Sequence, residues 1–427
     1  MGRIRELAER SWAAEVEPYE LWKPTGATEE IAPGVFFLHA FANVTVVRAG
    51  DGLVLVDTAS EAARARTFAA VRAIDPAPVR AAIYTHGHAD HAFGLPPFRA
   101  EAEAKGWAPP RVVAHRGVAA RFDRYRATAG YNRLVNARQF SRPPTWPTEY
   151  VYPETTYESA LRFEADGIGL ELEHARGETD DHTWLWWPEG RVLWTGDLFL
   201  WVAPNAGNPQ KAQRYAAEWA AALRAMAECG AALLIPGHGM PIFGADRVRR
   251  ALTETAEWLE ALVEQTLALM NAGAPLEQVL REVRPPARLA DRPYLQAVYD
   301  EPQYVVRNLW RLYGGWYDGA PAHLQPAPAA ELGAEIAALA GGVAGLVTRA
   351  RRLAAEGRLP VASHLIDWAV AAAPDDRDAH AARAEIYERR AARARALMTR
   401  GIFAAAARES AEKGTPAAPP KREGGEG

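Results

Sequence analysis

The sequence lacks most of the features that mark secreted or membrane-spanning proteins. Its 427 residues contain a single cysteine, Cys229, so neither a disulfide framework nor a cysteine-built zinc ribbon is available. No run approaches 18 consecutive apolar residues, which predicts that no segment spans a membrane. Residues 1–19 hold neither an uninterrupted apolar core nor a small-residue cleavage site. The prediction is therefore a cytoplasmic protein in which any metal is held by His, Asp and Glu.

The sequence also lacks a strong excess of charge of one sign. It has 49 basic and 53 acidic residues and a formal net charge of -4, so no general basic field is present to bind nucleic acid. Hydrophobic residues make up 49% of the chain, which is enough to bury a large core.

Short apolar runs bounded by Gly and Asp characterise the first 245 residues and predict strands over 34–38, 44–47, 53–57 and 79–84. Helical spacing occurs between the strands, which favours an α/β sandwich with helices outside and sheets within. From residue 246 onward the strand pattern stops and the sequence predicts an all-α C-terminal region. We predict four segments: a catalytic domain over 1–245, a helical extension and linker over 246–329, a further helical domain over 330–411 and a disordered tail over 412–427.

A dense group of metal-ligating residues follows the predicted strand 79–84. The group comprises His86, His88, Asp90 and His91. In an extended loop the alternation of side chains places His86 and His88 on one side, where they share one ion, while Asp90 and His91 face a second ion. Because each ion needs about three protein ligands, the remaining ligands must come from distant loops.

This H-x-H-x-D-H pattern resembles the hallmark of the metallo-β-lactamase superfamily, and the resemblance covers about residues 30 to 245. It implies an αββα sandwich, with Asp197 as the ligand that bridges two metals and His238 as the last histidine ligand. It also implies that Asp57, at the end of a strand, supports the ligands, and that Asp90 and Asp197 are the catalytic carboxylates.

One position departs from the usual superfamily pattern. Glu178 stands where most members have a third histidine, and a glutamate there is similar to the class III alkyl sulfatases. The long helical region over about 246–405 also resembles that branch, which carries a helical dimerisation domain and implies a homodimer. The alternative interpretation is that Glu178 is an exposed acid and His182 is the ligand; otherwise His182 supports the site. The implied ligand set is His86, His88, Asp90, His91, Glu178, Asp197 and His238.

The implied cofactors are two zinc ions. A carboxylate is a harder ligand than imidazole, so Glu178 makes iron or manganese more plausible than in an all-histidine site.

The expected substrate-binding residues match the alkyl sulfatases only in part. Asn205 matches an asparagine that binds the sulfate group, whereas Gln210 occupies the position of the partner arginine and Lys211 or Arg214 lies nearby. The arginine-rich stretch 121–142 has two interpretations, a solvated helix and loop or an anion-recognising insertion. Under the second interpretation Asn132 and Arg138 reach the pocket. The predicted substrate-binding set is Asn132, Arg138, Asn205 and Arg214.

The resemblance implies hydrolysis of an alkyl sulfate ester by a metal-bridging hydroxide, on a small molecule with an apolar alcohol part and an anionic group. The first alternative is a carboxylic ester, lactone or thioester hydrolase on the same metal centre. Two features favour it: the bridging ligand is an aspartate, Asp197, and Gln210 stands where the sulfate-binding arginine is expected. A further alternative is an iron-dependent oxidoreductase. A non-catalytic scaffold is disfavoured, because a scaffold has no need of seven convergent metal-binding side chains.

Overall fold

Two β-sheets form the core of the N-terminal part in a computed structural model that describes residues 2–141 and 145–414. The first sheet has the strand order β1 to β7, and the second has the order β13-β12-β11-β10-β9-β8. The first sheet comprises β1 (Thr28–Ala32), β2 (Val35–Leu38), β3 (Val44–Ala49), β4 (Gly52–Val56), β5 (Val79–Ile83), β6 (Arg111–His115) and β7 (Thr155–Tyr157). The second comprises β8 (Ala160–Ala165), β9 (Ile168–His174), β10 (Thr183–Trp187), β11 (Val192–Gly196), β12 (Leu233–Pro236) and β13 (Ile242–Phe243).

Helices connect the strands and make up the C-terminal region. Those before residue 245 are α1 (Arg3–Trp12), α2 (Arg64–Ile74), α3 (Pro96–Lys105), α4 (Gly117–Ala127), α5 (Ala129–Phe140) and α6 (Ala216–Glu228). From residue 245 they are α7 (Ala245–Asn271), α8 (Leu276–Glu282), α9 (Pro302–Gly314), α10 (Ala329–Leu339), α11 (Val343–Ala355), α12 (Leu359–Ala372), α13 (Arg377–Arg393) and α14 (Leu397–Gly414).

Strand direction determines where loops converge. Strands β4, β5 and β6 run parallel, with α2 and α3 as crossovers, and β11 runs parallel to β12 with α6 between them. Parallel strands end on the same edge of a sheet, so the loops that follow β4 and β5 are neighbours, as are those that follow β11 and β12.

The core of the first sheet is closed by helices on one face. Val71 of α2, Phe98 of α3 and Phe122 of α4 are fully buried and pack in one cluster with Leu55 and Val112 of the strands. The predicted α/β sandwich with an all-α C-terminal region is confirmed. The predicted strands are present.

The described residues divide into two compact units, 2–133 with 145–318 and 134–141 with 319–414. Much of the predicted extension 246–329 therefore belongs to the first unit, and the boundary falls inside α5. Helix α14 continues to Gly414, three residues into the segment predicted to be disordered. The remainder of that segment, 415–427, lies outside the described residues.

The second unit includes apolar helices, of which α12 is one. No single helix in the described part of the chain is long and apolar enough to cross a membrane. Helices α10 and α11 meet that criterion only as a pair, and the pair is bent by 82° where they join.

Candidate metal centre

Five loops that follow strands bring the predicted ligands and Asp57 together. Residues 84–91 follow β5, Asp57 follows β4, and Asp197 and His238 follow β11 and β12. Glu178 comes from the loop before β10. The convergence follows from the parallel pairing of these strands, which aligns their carboxyl ends.

The first group of ligand atoms comprises His86, His88, Glu178 and Asp197, and its members lie within 4.8 Å of one another. Glu178 Oε2 lies 3.4 Å from His86 Nε2 and 3.2 Å from His88 Nδ1. The two imidazole nitrogens face each other at 2.9 Å. This arrangement offers two nitrogen donors and a carboxylate to one ion.

The second group comprises Asp90, His91 and His238. His238 Nε2 lies 3.4 Å from Asp90 Oδ2 and 3.4 Å from His91 Nε2. Asp197 lies between the two groups, because its Oδ2 is 3.4 Å from His238 Nε2 and 3.8 Å from His86 Nε2, while its Oδ1 is 3.3 Å from His91 Nε2. The seven predicted ligands thus lie together, with Asp197 in the bridging position.

Neighbouring groups orient the histidines. Asp57 Oδ2 accepts a hydrogen bond from His91 Nδ1 at 2.7 Å and another from the Thr85 hydroxyl at 2.8 Å. The Thr85 oxygen then accepts from His86 Nδ1 at 3.1 Å, and His238 Nδ1 donates to the Phe41 carbonyl. Each of these histidines directs Nε2 toward the centre, and such contacts fix tautomer and ring orientation. Asp57 therefore has the supporting position that was predicted for it.

The backbone around His238 is shaped by two residues that sequence reasoning missed. A Cβ on Gly237 would lie 2.1 Å from Asp197 Oδ1, so only glycine permits the bridging carboxylate to approach this loop. Asn43 Nδ2 donates to the carbonyls of Pro236 and Gly239 at 3.1 and 2.8 Å and holds the loop from both sides. Nothing in the local sequence of Asn43 indicates this contact, which spans more than 190 residues.

Charges within the centre shift the pKa values in opposite directions. Burial lowers the pKa of His88 to about 4, against the attraction of Glu178. Burial acts in the same sense on His238, but the carboxylates of Asp197 and Asp90 overcome it and raise the pKa to about 10. Burial alone raises the pKa of Asp90, whereas the charges of His91 and His238 bring it well below its usual range. Burial also acts to raise the pKa values of Glu178 and Asp197, but nearby histidines, together with Arg214 in the case of Glu178, bring both pKa values below the usual range. The three carboxylates are therefore ionised and attract cations.

His182 lies next to the centre but outside both ligand groups. Its Nε2 accepts a hydrogen bond from the backbone N–H of Asp197 at 3.0 Å, and its ring stacks on His86 with centroids 4.7 Å apart. Burial and the nearby His86 hold its pKa well below the usual value. Glu178 therefore lies in the first ligand group, whereas His182 contacts the backbone of Asp197 and lies in neither group.

Two of the predicted substrate-binding residues instead contact the ligand Glu178. Its Oε1 accepts hydrogen bonds from Arg214 Nη1 and Asn205 Nδ2, both at 2.8 Å. Arg214 is buried, and its guanidinium group forms an ion pair with the carboxylate of Glu178. Lys211, from the same loop, is half-buried, and its ammonium group interacts electrostatically with Asp90 and Glu178.

The other two predicted substrate-binding residues lie on α5. Asn132 Nδ2 donates to Thr128 Oγ1 at 2.8 Å within the helix, and Arg138 belongs to the second unit. Their substrate role stays a prediction.

Arg121, at the start of the arginine-rich stretch, has a clear structural partner. Its Nε donates to Asp181 Oδ2 at 2.8 Å, and the same oxygen accepts from Gly87 N–H at 3.1 Å. Arg121 and Asp181 are both buried, so this pair braces the loop that carries His86 and His88. Sequence reasoning missed Asp181, although its position between Glu178 and His182 was a signal.

The residues present fit a pair of divalent cations. Glu178 Oε2 and Asp197 Oδ1 are buried without a hydrogen-bond partner in the described part of the chain, and each faces histidine nitrogens. Buried carboxylate oxygens without partners are costly unless a cation compensates them. Nitrogen and carboxylate donors in this number match the preferences of zinc, iron or manganese.

Comparison with protein families places this site in context. Residues 40–238 match the model of the metallo-beta-lactamase superfamily, and residues 276–413 match that of the alkyl sulfatase dimerisation domain. The chain therefore contains a metallo-β-lactamase domain followed by an alkyl sulfatase dimerisation domain. The predicted resemblance to the branch that carries an alkyl sulfatase dimerisation domain is confirmed.

Curated relatives of this chain carry alkylsulfatase names. A linear primary-alkylsulfatase from a Pseudomonas species is 26% identical over 365 residues, which cover 81% of this chain and 69% of the relative. An (R)-specific secondary-alkylsulfatase from Pseudomonas is 29% identical over 422 residues, which cover 91% of this chain and 64% of the relative. The chain thus spans about two thirds of the length of these relatives.

Solved structures agree with this assignment. The stereoselective inverting sec-alkylsulfatase Pisa1 from Pseudomonas superposes with a TM-score of 0.80 at 25% identity, over 93% of this chain and 67% of that structure. A double mutant of the same sec-alkyl sulfatase gives a TM-score of 0.82, also at 25% identity, over 97% of this chain and 70% of that structure.

Proposed function

We propose that this metallo-β-lactamase superfamily member is a binuclear metal-dependent hydrolase of alkyl sulfate esters. The observation that carries the proposal is the pair of ligand groups joined by Asp197, with a glutamate in the first group. The similarity to alkylsulfatases along most of the chain supports the choice of a sulfate ester.

His86, His88 and Glu178 would hold the first metal, and Asp90, His91 and His238 the second, with Asp197 shared. We favour zinc, with iron or manganese as alternatives because two carboxylates join the first group. Two such cations supply Lewis acidity and lower the pKa of water toward neutrality. Asp57 would orient His91 through a hydrogen bond to Nδ1, and His182 would hold the backbone of Asp197.

The loop 203–214 supplies the polar and basic side chains that could bind an anionic group near the metal centre. Because Arg214 is paired with Glu178, Lys211 is the better placed cation for the anionic group of a substrate. Asn205 Nδ2 donates to Glu178, whereas the buried Asn205 Oδ1 has no hydrogen-bond partner among the described residues. We propose that Lys211 recognises the sulfate group, and the substrate role of Asn132 and Arg138 stays a prediction.

A carboxylic ester, lactone or thioester hydrolase is the second candidate. It is favoured by Gln210, which replaces a cation at the position expected to bind sulfate. Iron-dependent redox chemistry is a third candidate and rests on the oxygen-rich donor set. A cytoplasmic location and a homodimer formed by the C-terminal helices are part of the proposal, the latter because of the dimerisation domain.

The test measures inorganic sulfate released from dodecyl sulfate by zinc-loaded protein, with Asp90→Ala as the control. We expect release that depends on Asp90, and competition by a second alkyl sulfate but not by an acyl ester. A protein that binds two metals, releases no sulfate and cleaves esters or lactones would contradict the sulfatase proposal while retaining a hydrolase. A visible absorption band from bound iron in the isolated protein would favour the redox alternative.

A further inference from the structure

The ligand Glu178 is oriented by a loop that has no regular secondary structure. Its Oε1 is fixed by Arg214 and Asn205, so its Oε2 is left to face His86 and His88. Asn205 and Arg214 lie at the two ends of loop 205–214, and Arg214 Nη1 also donates to the Asn205 carbonyl at 2.5 Å. The position of this one oxygen therefore depends on how the loop is closed.

Asn308 of helix α9 connects the two ends of this loop. Its Nδ2 donates to the Ala206 carbonyl at 2.9 Å and to the Arg214 carbonyl at 2.7 Å. The backbone carbonyl of Asn308 accepts a hydrogen bond from Gln213 Nε2 at 3.2 Å. Asn308 is buried, so removal of its side chain leaves two buried carbonyls without these donors.

The backbone of the loop also rests directly against the start of α9. Gly207 N–H donates to Asp300 Oδ2 at 3.2 Å, and Asp300 is buried. A Cβ on Gly207 would lie 2.0 Å from the backbone of Tyr304 and Val305, so no larger residue fits this contact. Residues 300–308 thus form a platform for the loop.

We infer that Asn308 is a positioning residue for the first metal, acting through Arg214 and Glu178. The inference rests on the proposed metal centre, but not on the identity of the substrate. It also means that the region matched by the dimerisation model, which begins at residue 276, supplies part of the support of the metal site. Helix α9 belongs to the same compact unit as the ligands, which is consistent with this role.

The test uses the full-length protein and compares Asn308→Ala with Arg307→Ala, an exposed neighbour on the same helix. Zinc affinity at both sites is measured by competition with a chromophoric chelator. We expect Asn308→Ala to weaken one of the two sites by about 10- to 100-fold, in the range seen when groups that orient metal ligands are removed. The other site and the circular dichroism spectrum should remain unchanged, as should both sites in Arg307→Ala.

A double-mutant cycle identifies which site is affected. If Asn308 acts through Glu178, adding Asn308→Ala to Glu178→Gln should weaken zinc binding no further than Glu178→Gln alone. Adding it to Asp90→Asn, which belongs to the second ligand group alone, should give additive losses. Asn308→Leu, which keeps the branched shape of the side chain without its hydrogen-bond donor, serves if Asn308→Ala fails to fold.

Equal losses at both sites, or no loss at either, would overturn the inference. Zinc binding by the wild-type protein without sulfate release would overturn the sulfatase proposal and leave this inference standing. A wild-type protein that binds fewer than two metals would overturn the proposed centre and the inference together.

Discussion

At the scale of single residues, Glu178 and His182 have different tasks although they are only four positions apart. Glu178 directs Oε2 between two histidine nitrogens, whereas His182 accepts from the backbone of Asp197. A residue that binds a metal directly contributes more to affinity than one that holds a ligand's backbone. This difference can be measured.

We expect Glu178→Gln to weaken zinc binding at the first site more than His182→Ala does. The substitution removes the negative charge that faces His86 and His88, and the amide is a poorer ligand. Competition with a chelator measures the two affinities. Unfolding of the metal-free variants is the control, because Glu178→Gln also removes the counter-charge of the buried Arg214. If His182→Ala lost more affinity, the assignment of the ligand would be reversed.

Residues close together in sequence were predictable, whereas contacts between distant loops were not. His86, His88, Asp90 and His91 lie on one loop after a strand, so their spacing alone indicates the chemistry. The direction of Arg214 depends on Asn308 and Glu178, which are 94 and 36 residues away. For this reason the sequence indicated a loop rich in polar side chains but not that Arg214 faces a metal ligand.

At the scale of elements, helix α4 braces the loop that carries the first two histidines. Arg121 of α4 pairs with Asp181, which also accepts from Gly87 between His86 and His88. The sequence predicted a solvated helix and loop, or an anion-recognising insertion, over residues 121–142. The helix is present, but Arg121 is buried in an ion pair because α4 packs on the sheet through Val118 and Phe122.

We expect Arg121→Met to lower the free energy of unfolding by about 3 to 5 kcal/mol, since it leaves the carboxylate of Asp181 buried without its partner. Denaturant unfolding of the metal-free protein measures the change. Arg124→Met is the matched control, because Arg124 lies on the same helix and its pairing with Asp180 is exposed to solvent. That variant should change stability by less than about 1 kcal/mol. Similar losses in both variants would show that α4 matters only as a helix.

At the scale of the whole molecule, the second unit has its own apolar core. Leu346, Ala350, Leu353, Ile366 and Ile386 are buried together there. The sequence predicted a helical domain over 330–411. The inclusion of 134–141 in this unit was not, because it depends on contacts far apart along the chain, such as the approach of Gly401 to the backbone of Gln139.

Helix α10 carries the side chain that offers the sharpest test of a homodimer. Leu339 is 91% exposed at the end of this helix, and Leu332 on the same helix is 46% exposed. Large apolar side chains exposed together commonly mark a surface that associates with a partner. Because the Leu339 side chain is almost fully exposed in the single chain, a substitution there should leave the fold of that chain intact.

We expect the full-length protein to sediment as a dimer of 46.6 kDa chains and Leu339→Glu to weaken dimerisation by about 100-fold or more. Burial of a leucine contributes about 1.5 to 3 kcal/mol, and in a twofold interface each substitution counts twice. Analytical ultracentrifugation over a concentration series measures the dissociation constant. Val361→Glu on α12 is the control, since Val361 is 42% exposed on a different helix. An unchanged dimer in Leu339→Glu would move the interface away from α10, and a monomeric wild-type protein would contradict the homodimer itself.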